Sequence, residues 1–179
     1  MIRLFAAVAV PDEAATPLLA AQTGLREARW RPREALHVTL RFFGDVQETV
    51  AEDLDAALAA IALPPFDLQP TGAGAFGASE HMRAVWAGVA DSEPLKRLAA
   101  KCETAARRAG LKAEARAYHP HVTLAYLPRT ADPAAVAGWI ADNALLKAPA
   151  FAVKGFGLYS SRLSANGSTY DLERFYPLR

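Results

Sequence analysis

The tetrapeptide His-Val-Thr-Leu occurs twice in this chain, as His37-Val38-Thr39-Leu40 and as His121-Val122-Thr123-Leu124. With four histidines and nine threonines in 179 residues, a His two places before a Thr is expected about 0.2 times from composition alone. Two such pairs, each with Val between and Leu after, are no accident of composition. In an extended strand the side chains alternate faces, so His37 and Thr39 share one face while Val38 and Leu40 turn to the other. The same holds for His121 and Thr123 against Val122 and Leu124. Two imidazoles on opposite walls of one cleft can divide acid and base work near neutral pH, one protonated and one not. Each threonine hydroxyl can donate to a non-bridging phosphate oxygen. The set is one for phosphoryl transfer that requires no metal ligand and no cofactor.

Each motif also has a plainer reading. A single His-x-Thr on a strand is most simply a packing feature, and two histidines can instead bind a metal. The Asp, Glu or Cys partners that would complete a metal site are not evident at ligand spacing.

The elements that must position the motifs recur in order. Residues 4–10 form a short apolar run ended by Pro11-Asp12, which reads as a buried strand. Residues 11–29 read as a helix with Leu18, Leu19, Gln22 and Leu25 on one face. Next come a strand over 36–43, a helix over 48–61 and an extended segment over 66–76. The second half repeats this: strand 85–89, helix 95–109 closed by Gly110, strand 121–127, helix 132–140, strand 151–159. From His37 to Phe66 is 29 residues and from His121 to Phe151 is 30. Two copies of strand–helix–strand–helix–strand are therefore expected to pack face to face about a pseudo-twofold axis. They form one domain over 1–179, with repeats of roughly 1–80 and 81–179, in α/β or α+β layering. A last strand over 169–176 is expected to return antiparallel to 151–159 through the turn Ser164-Ala165-Asn166-Gly167.

Bulk properties narrow the setting. The chain is 52% hydrophobic and 22% charged with a net charge of +1, so an anionic ligand must be held by a local site and not by a basic surface. Cys102 is the single cysteine, which excludes an internal disulfide framework and is read as a packing residue. No signal-like start or bilayer-length apolar run is read, so the expectation is a cytoplasmic monomer with no membrane partner.

At these residues the sequence resembles the two-histidine phosphoesterases, and more closely their RNA 2′,3′-cyclic phosphodiesterase branch, the LigT-like proteins once called 2′-5′ RNA ligases. The resemblance runs through Arg3-Leu4-Phe5, Arg29-Trp30, Arg41-Phe42-Phe43-Gly44, Trp86-Ala87-Gly88, Pro120-His121 and Ser161-Arg162-Leu163. It implies an α+β, bilobal fold, each lobe an antiparallel sheet with helices outside and strand exchange between lobes allowed, with the catalytic cleft between them. It also implies hydrolysis of a 2′,3′-cyclic phosphate at an RNA end, tRNA fragments among them, to a 2′-phosphate. It implies His37 as proton donor to the departing 3′ oxygen and His121 as proton acceptor from the attacking water. A non-hydrolytic module for RNA ends or nucleotides, or a 2′-5′ ligase-type activity in the same cleft, are the alternatives.

The phosphate-binding candidates are Thr39, Thr123, Arg41, Tyr126 and Arg129. Many relatives carry an arginine where this chain has Tyr126, and a tyrosine can hydrogen-bond a phosphate but cannot neutralise it. Arg41 lies four residues after His37 and by simple alternation shares its face, so it is the first candidate to compensate, with Arg129 second. His119 has the parity of His121 and is read as a partly exposed loop residue, with the cleft rim as the alternative; His81 is read as a surface residue in the loop before Trp86. Phe5, Phe43 and Tyr159 are read as core, with base stacking as the alternative.

Overall fold

Alternation along the two motifs is obeyed: Val38, Leu40, Val122 and Leu124 are buried, while the His and Thr between them keep partial exposure. The computed structural model describes residues 1–78, 81–164 and 167–179, the side chains of Leu163 and Ser164 apart. In chain order the elements are β1 (Ile2–Ala9), α1 (Asp12–Ala20), β2 (Arg29–Trp30), β3 (His37–Val46), α2 (Glu48–Ala59), β4 (Phe66–Leu68) and β5 (Pro70–Ala78). They continue with β6 (His81–Val89), α3 (Glu93–Arg108), β7 (His121–Tyr126), α4 (Pro133–Asp142), β8 (Phe151–Val153), β9 (Gly155–Ser164) and β10 (Gly167–Pro177). The boundary expected at residue 80 falls beside the undescribed pair 79–80, and the expected turn at 164–167 includes the undescribed pair 165–166.

The architecture is α+β. The main sheet runs β10-β9-β1-β3-β7-β6-β5, with β2 paired to β7, and its pairings are antiparallel. It divides into two lobes that meet where β3 touches β7 through the pair Val38↔Val122. Each lobe takes a strand from across the chain: β5, which comes after α2, pairs with β6, and β9, which comes after α4, pairs with β1. A separate ribbon joins β4 to β8 about Asp67↔Ala152. One apolar core runs behind the sheet, where Leu4, Ala6 and Val8 of β1 and the motif Val and Leu residues join the same cluster as Leu18, Leu54, Leu58, Leu95, Leu98 and Cys102 from the helices. Fully burying a leucine contributes roughly 1.5–3 kcal/mol, so this layer anchors the two motif strands firmly.

Three local departures from alternation and periodicity have physical causes. Helix α1 stops at Ala20, where a continuous run to 29 was expected. Gly24 adopts a φ of 83°, and Gln22 leaves the helical face to donate from its amide to the Arg31 and Leu124 carbonyls at 2.9 and 3.3 Å. The extended segment 66–76 splits at Gln69, whose side chain donates to the Ala148 carbonyl, so that β4 and β5 join different sheets. The segment 151–159 splits in the same way at Lys154. By contrast α3 closes at Gly110 with φ 84° and a bond from the Leu111 amide to the Ala106 carbonyl, as its glycine foretold.

Candidate active site

Two strands that open with the same tetrapeptide and pair antiparallel about its second residue place each histidine diagonally across from the other. With Val38 opposite Val122, the register sets His37 beside Thr123 and Thr39 beside His121. Side chains at such diagonal positions lie about 7–8 Å apart at their bases, room for one tetrahedral group between the two rings. All four side chains line a single cavity of about 430 Å³.

Both rings are held by a carbonyl two residues upstream. His121 Nδ1 lies 2.7 Å from the His119 carbonyl, which makes Nδ1 the donor and leaves Nε2 as the ring's free nitrogen. His37 makes the equivalent backbone bond with Ala35. Aromatic edges complete the seats. Phe5 lies against His37 with ring centres 5.0 Å apart, Tyr170 meets His37 edge-on at 5.3 Å, and Phe76 meets His121 edge-on at 4.6 Å. Phe5, read from sequence as core, is buried but lines the cavity and lies outside the core cluster of Leu4, Ala6 and Val8; it stacks on Tyr159 and buttresses the His37 ring from the cavity face of β1.

Burial pulls the His37 pKa from the ordinary 6.5 down to about 4, against its backbone bond and with the help of the Arg31 and His121 charges. Burial also lowers that of His121, with His119 adding to the effect. In the free protein both rings are therefore neutral near pH 7, and a bound anion would raise both.

Simple alternation holds through each motif and fails immediately after it. The β1–β3 register shifts between Ala6↔Arg41 and Ala7↔Thr39, and the β6–β7 register shifts between Val85↔Ala125 and Trp86↔Thr123. The extra residues are Leu40 and Leu124, each a β-bulge that flips the parity of the residues C-terminal to it. Arg41 is thereby turned away from the face of His37, contrary to the expectation from spacing. Its Nε donates to Glu103 at 2.5 Å, its other nitrogens reach the Phe42 and Lys112 carbonyls, and Glu114 lies 3.6 Å away. Phe42 and Tyr126, each five residues after its histidine, take the cavity-facing positions instead. Arg129 is exposed in the turn after β7 and lines neither cavity, so it does not join the candidates either.

The residues that spacing did not single out are Arg3 and Arg31. Both line the cavity, and each guanidinium lies over the aromatic ring that comes after a motif: Arg3 over Phe42 at 5.5 Å and Arg31 over Tyr126 at 5.4 Å. Arg3 Nε is buried with no hydrogen-bond partner. Arg3 belongs to the Arg3-Leu4-Phe5 strand motif, but its role depends on β1 lying beside β3, which local pattern does not report.

A larger groove of about 880 Å³ adjoins the cavity and shares Thr39, Phe42, Phe76, Arg116 and His121 with it. His119 is the exposed loop residue expected, and it also takes the alternative place at the rim, lining this groove edge-on to Phe76 and Trp86. His81 is exposed at the start of β6, a strand and not the expected loop. Among the described residues no group of three or more His, Cys, Asp or Glu could hold a metal ion. No helix among them is long and apolar enough to cross a membrane.

Residues 10–164 match the 2′-5′ RNA ligase superfamily. A protein of Aeropyrum pernix named RNA 2′,3′-cyclic phosphodiesterase is 31% identical over 138 residues, covering 76% of this chain and 78% of that one. A Thermus thermophilus protein of the same name is 32% identical over 195 residues, covering 99% and 91%. The crystal structure of E. coli LigT complexed with 3′-AMP superposes with a TM-score of 0.78 at 28% identity, covering 99% of this chain and 97% of that one.

Proposed function

Because the chain belongs to the 2′-5′ RNA ligase superfamily, we propose that it hydrolyses 2′,3′-cyclic phosphates at RNA ends to 2′-phosphates by paired histidine acid–base catalysis. The observation that carries this reading is the diagonal placement of His37 and His121 about the Val38↔Val122 pair, with both threonines beside them. The names of the relatives, RNA 2′,3′-cyclic phosphodiesterase, supply the bond to be broken.

In this mechanism Thr39 and Thr123 donate to the non-bridging oxygens of the cyclic phosphate. His121, neutral, accepts a proton through Nε2 from a water that attacks phosphorus. The bond from phosphorus to the 3′ oxygen breaks, and His37 delivers its proton to that oxygen. The His37 ring does not carry this proton in the free protein at neutral pH, since burial holds its pKa near 4. The phosphate anion offsets that burial, so substrate and proton enter together. Substrate charge thus activates the acid.

The reading extends to a monomer acting on RNA ends, tRNA fragments among them, in the cytoplasm. The buried Cys102 thiol, whose pKa burial raises, is compatible with a reducing compartment. The test is product analysis on a short RNA ending in a 2′,3′-cyclic phosphate. A 2′-phosphate should form, and His37→Ala and His121→Ala should each slow it by about 10²–10⁴. Turnover that survives both substitutions, or binding without product, rules the proposal out.

A further inference from the structure

We infer that Arg31 is the residue that holds the charge of the phosphate in this cavity, clamped between Tyr126 and Tyr170. The inference rests on the phosphodiesterase reading for the identity of the anion and on the burial and ring contacts of Arg31 for the site.

Arg31 is only 8% exposed, yet it lines the cavity with His37, His121, Thr39 and Thr123. Its guanidinium lies 5.4 Å from the centre of the Tyr126 ring and 5.3 Å from that of Tyr170. These ring contacts engage none of its N–H donors as classical hydrogen bonds, so the donors remain available for an anion. The one side-chain hydrogen bond it makes among the described residues is long, 3.5 Å to the Ser168 carbonyl, and no carboxylate there pairs with it. Arg41, whose side chain is also largely buried, has Glu103 as its carboxylate. Among the described residues no Arg31 nitrogen is both buried and unpartnered, so its spare donors open to the cavity, where an anion can meet them. Its charge also bears on the His37 ring, which places the guanidinium within electrostatic reach of the acid.

The backbone fixes this placement. The Arg31 amide donates to the Leu124 carbonyl at 2.8 Å, continuing the β2–β7 pairing of Arg29↔Tyr126 and Trp30↔Ala125. The Gln22 amide holds the Arg31 carbonyl at 2.9 Å. Tyr126, the last residue of β7, is a ring on which Arg31 lies. The guanidinium thus reaches the cavity from the strand paired with β7.

The experiment is titration of the protein with inorganic phosphate, by calorimetry at pH 7, alongside turnover of a 2′,3′-cyclic nucleotide. Arg31→Gln should weaken phosphate binding by about tenfold to a hundredfold, the usual worth of a charged hydrogen-bonding group. Arg31→Lys, which keeps the charge but loses the fork, should fall between, and Tyr126→Arg added to Arg31→Gln should recover part of the loss. Removing the Arg31 charge should also raise the pH of the His37 limb in kcat/KM, and Arg31→Lys, which keeps the charge, should leave that limb in place. Phosphate affinity within about twofold of wild type in a folded Arg31→Gln protein overturns the inference. If that variant does not fold, unchanged affinity in Arg31→Lys does so, and wild-type protein that takes up no phosphate does so as well. Arg31-dependent phosphate binding without hydrolysis would remove the hydrolase reading and leave this one standing; hydrolysis indifferent to Arg31 would do the reverse.

Discussion

Val38 sits opposite Val122 in the pairing that joins the two lobes, and both side chains are buried on the side away from the cavity. The pair acts as the pivot of the site. A local twofold axis through it exchanges His37 with His121 and Thr39 with Thr123, and puts each histidine next to the other motif's threonine. The two motif strands are therefore adjacent strands at a junction, not strands of two sheets facing each other across a gap.

This arrangement makes the threonines near-equivalent. Thr39→Val and Thr123→Val keep the shape of the side chain and remove one donor to the bound phosphate. Each should lower kcat/KM by about tenfold to a hundredfold, the usual worth of a hydrogen bond to a charged group. The two effects should be of similar size, because the axis places both hydroxyls equivalently about the phosphate. Steady-state rates on a cyclic nucleotide measure this, and one silent threonine would mean the phosphate is not centred on the axis.

The depressed histidines set a pH signature. In free protein, His37 titrates near 4 and His121 below the ordinary 6.5 because burial disfavours the imidazolium. The kcat/KM profile reports the free protein, so its bell should lie on the acid side of 6.5. In the substrate complex the phosphate anion raises both groups, so the kcat bell should move to higher pH. Coincident profiles, with chemistry limiting, would contradict the role given to substrate charge. The same depression has a cost in stability. The unfolded chain binds a proton at His37 from about pH 6.5 downward, while the folded one does so only near 4. Stability should therefore decline as pH falls through that window, and denaturant melts at about pH 7 and about pH 5 would register it.

The site's centre was legible because it is local and repeated. Period-two alternation over His37–Leu40 and His121–Leu124 depends on nothing outside the tetrapeptides, and the 29- and 30-residue spacings to Phe66 and Phe151 mark matching strands. Its rim was not legible. The bulges at Leu40 and Leu124 invert parity immediately after each motif, so alternation puts Arg41 on the wrong face and passes over Phe42. Arg31 enters through the pairing of the two-residue β2 with β7, which lies far downstream, and no periodic signal reports such a contact. The splits at Gln69 and Lys154 were hidden for the same reason, since each separates segments by their partners and not by their composition.

Arg41 should accordingly behave as a structural residue. It bonds Glu103 and the Phe42 and Lys112 carbonyls with a side chain only 10% exposed. Arg41→Gln should destabilise the fold by roughly 1–3 kcal/mol, because Glu103 is left without its cation. Its kcat on a cyclic nucleotide should change far less than that of Arg31→Gln. Chemical denaturation together with turnover at saturating substrate separates the two effects; a large kcat loss with unchanged stability would return Arg41 to the phosphate ligands.

Gly74 offers a probe of how tightly His121 is held. A Cβ at this position would come within 2.3 Å of the Trp86 indole, a rigid ring with little freedom to yield. Trp86 in turn packs on Phe76 and His119 at 5.4 and 4.8 Å, and these rings seat His121. Gly74→Ala should therefore push the indole toward His121, with an overpacking cost of about 1–3 kcal/mol in stability. Because a misplacement of about an ångström can cost on the order of a hundredfold in rate, kcat should fall by more than the stability change alone would explain. Trimming the indole in the same chain, Gly74→Ala with Trp86→Phe, should recover part of the lost kcat by giving the new methyl its space. Recovery of stability without recovery of kcat would show that Trp86 does not position His121, and that the seat is made by Phe76 and the His119 carbonyl alone.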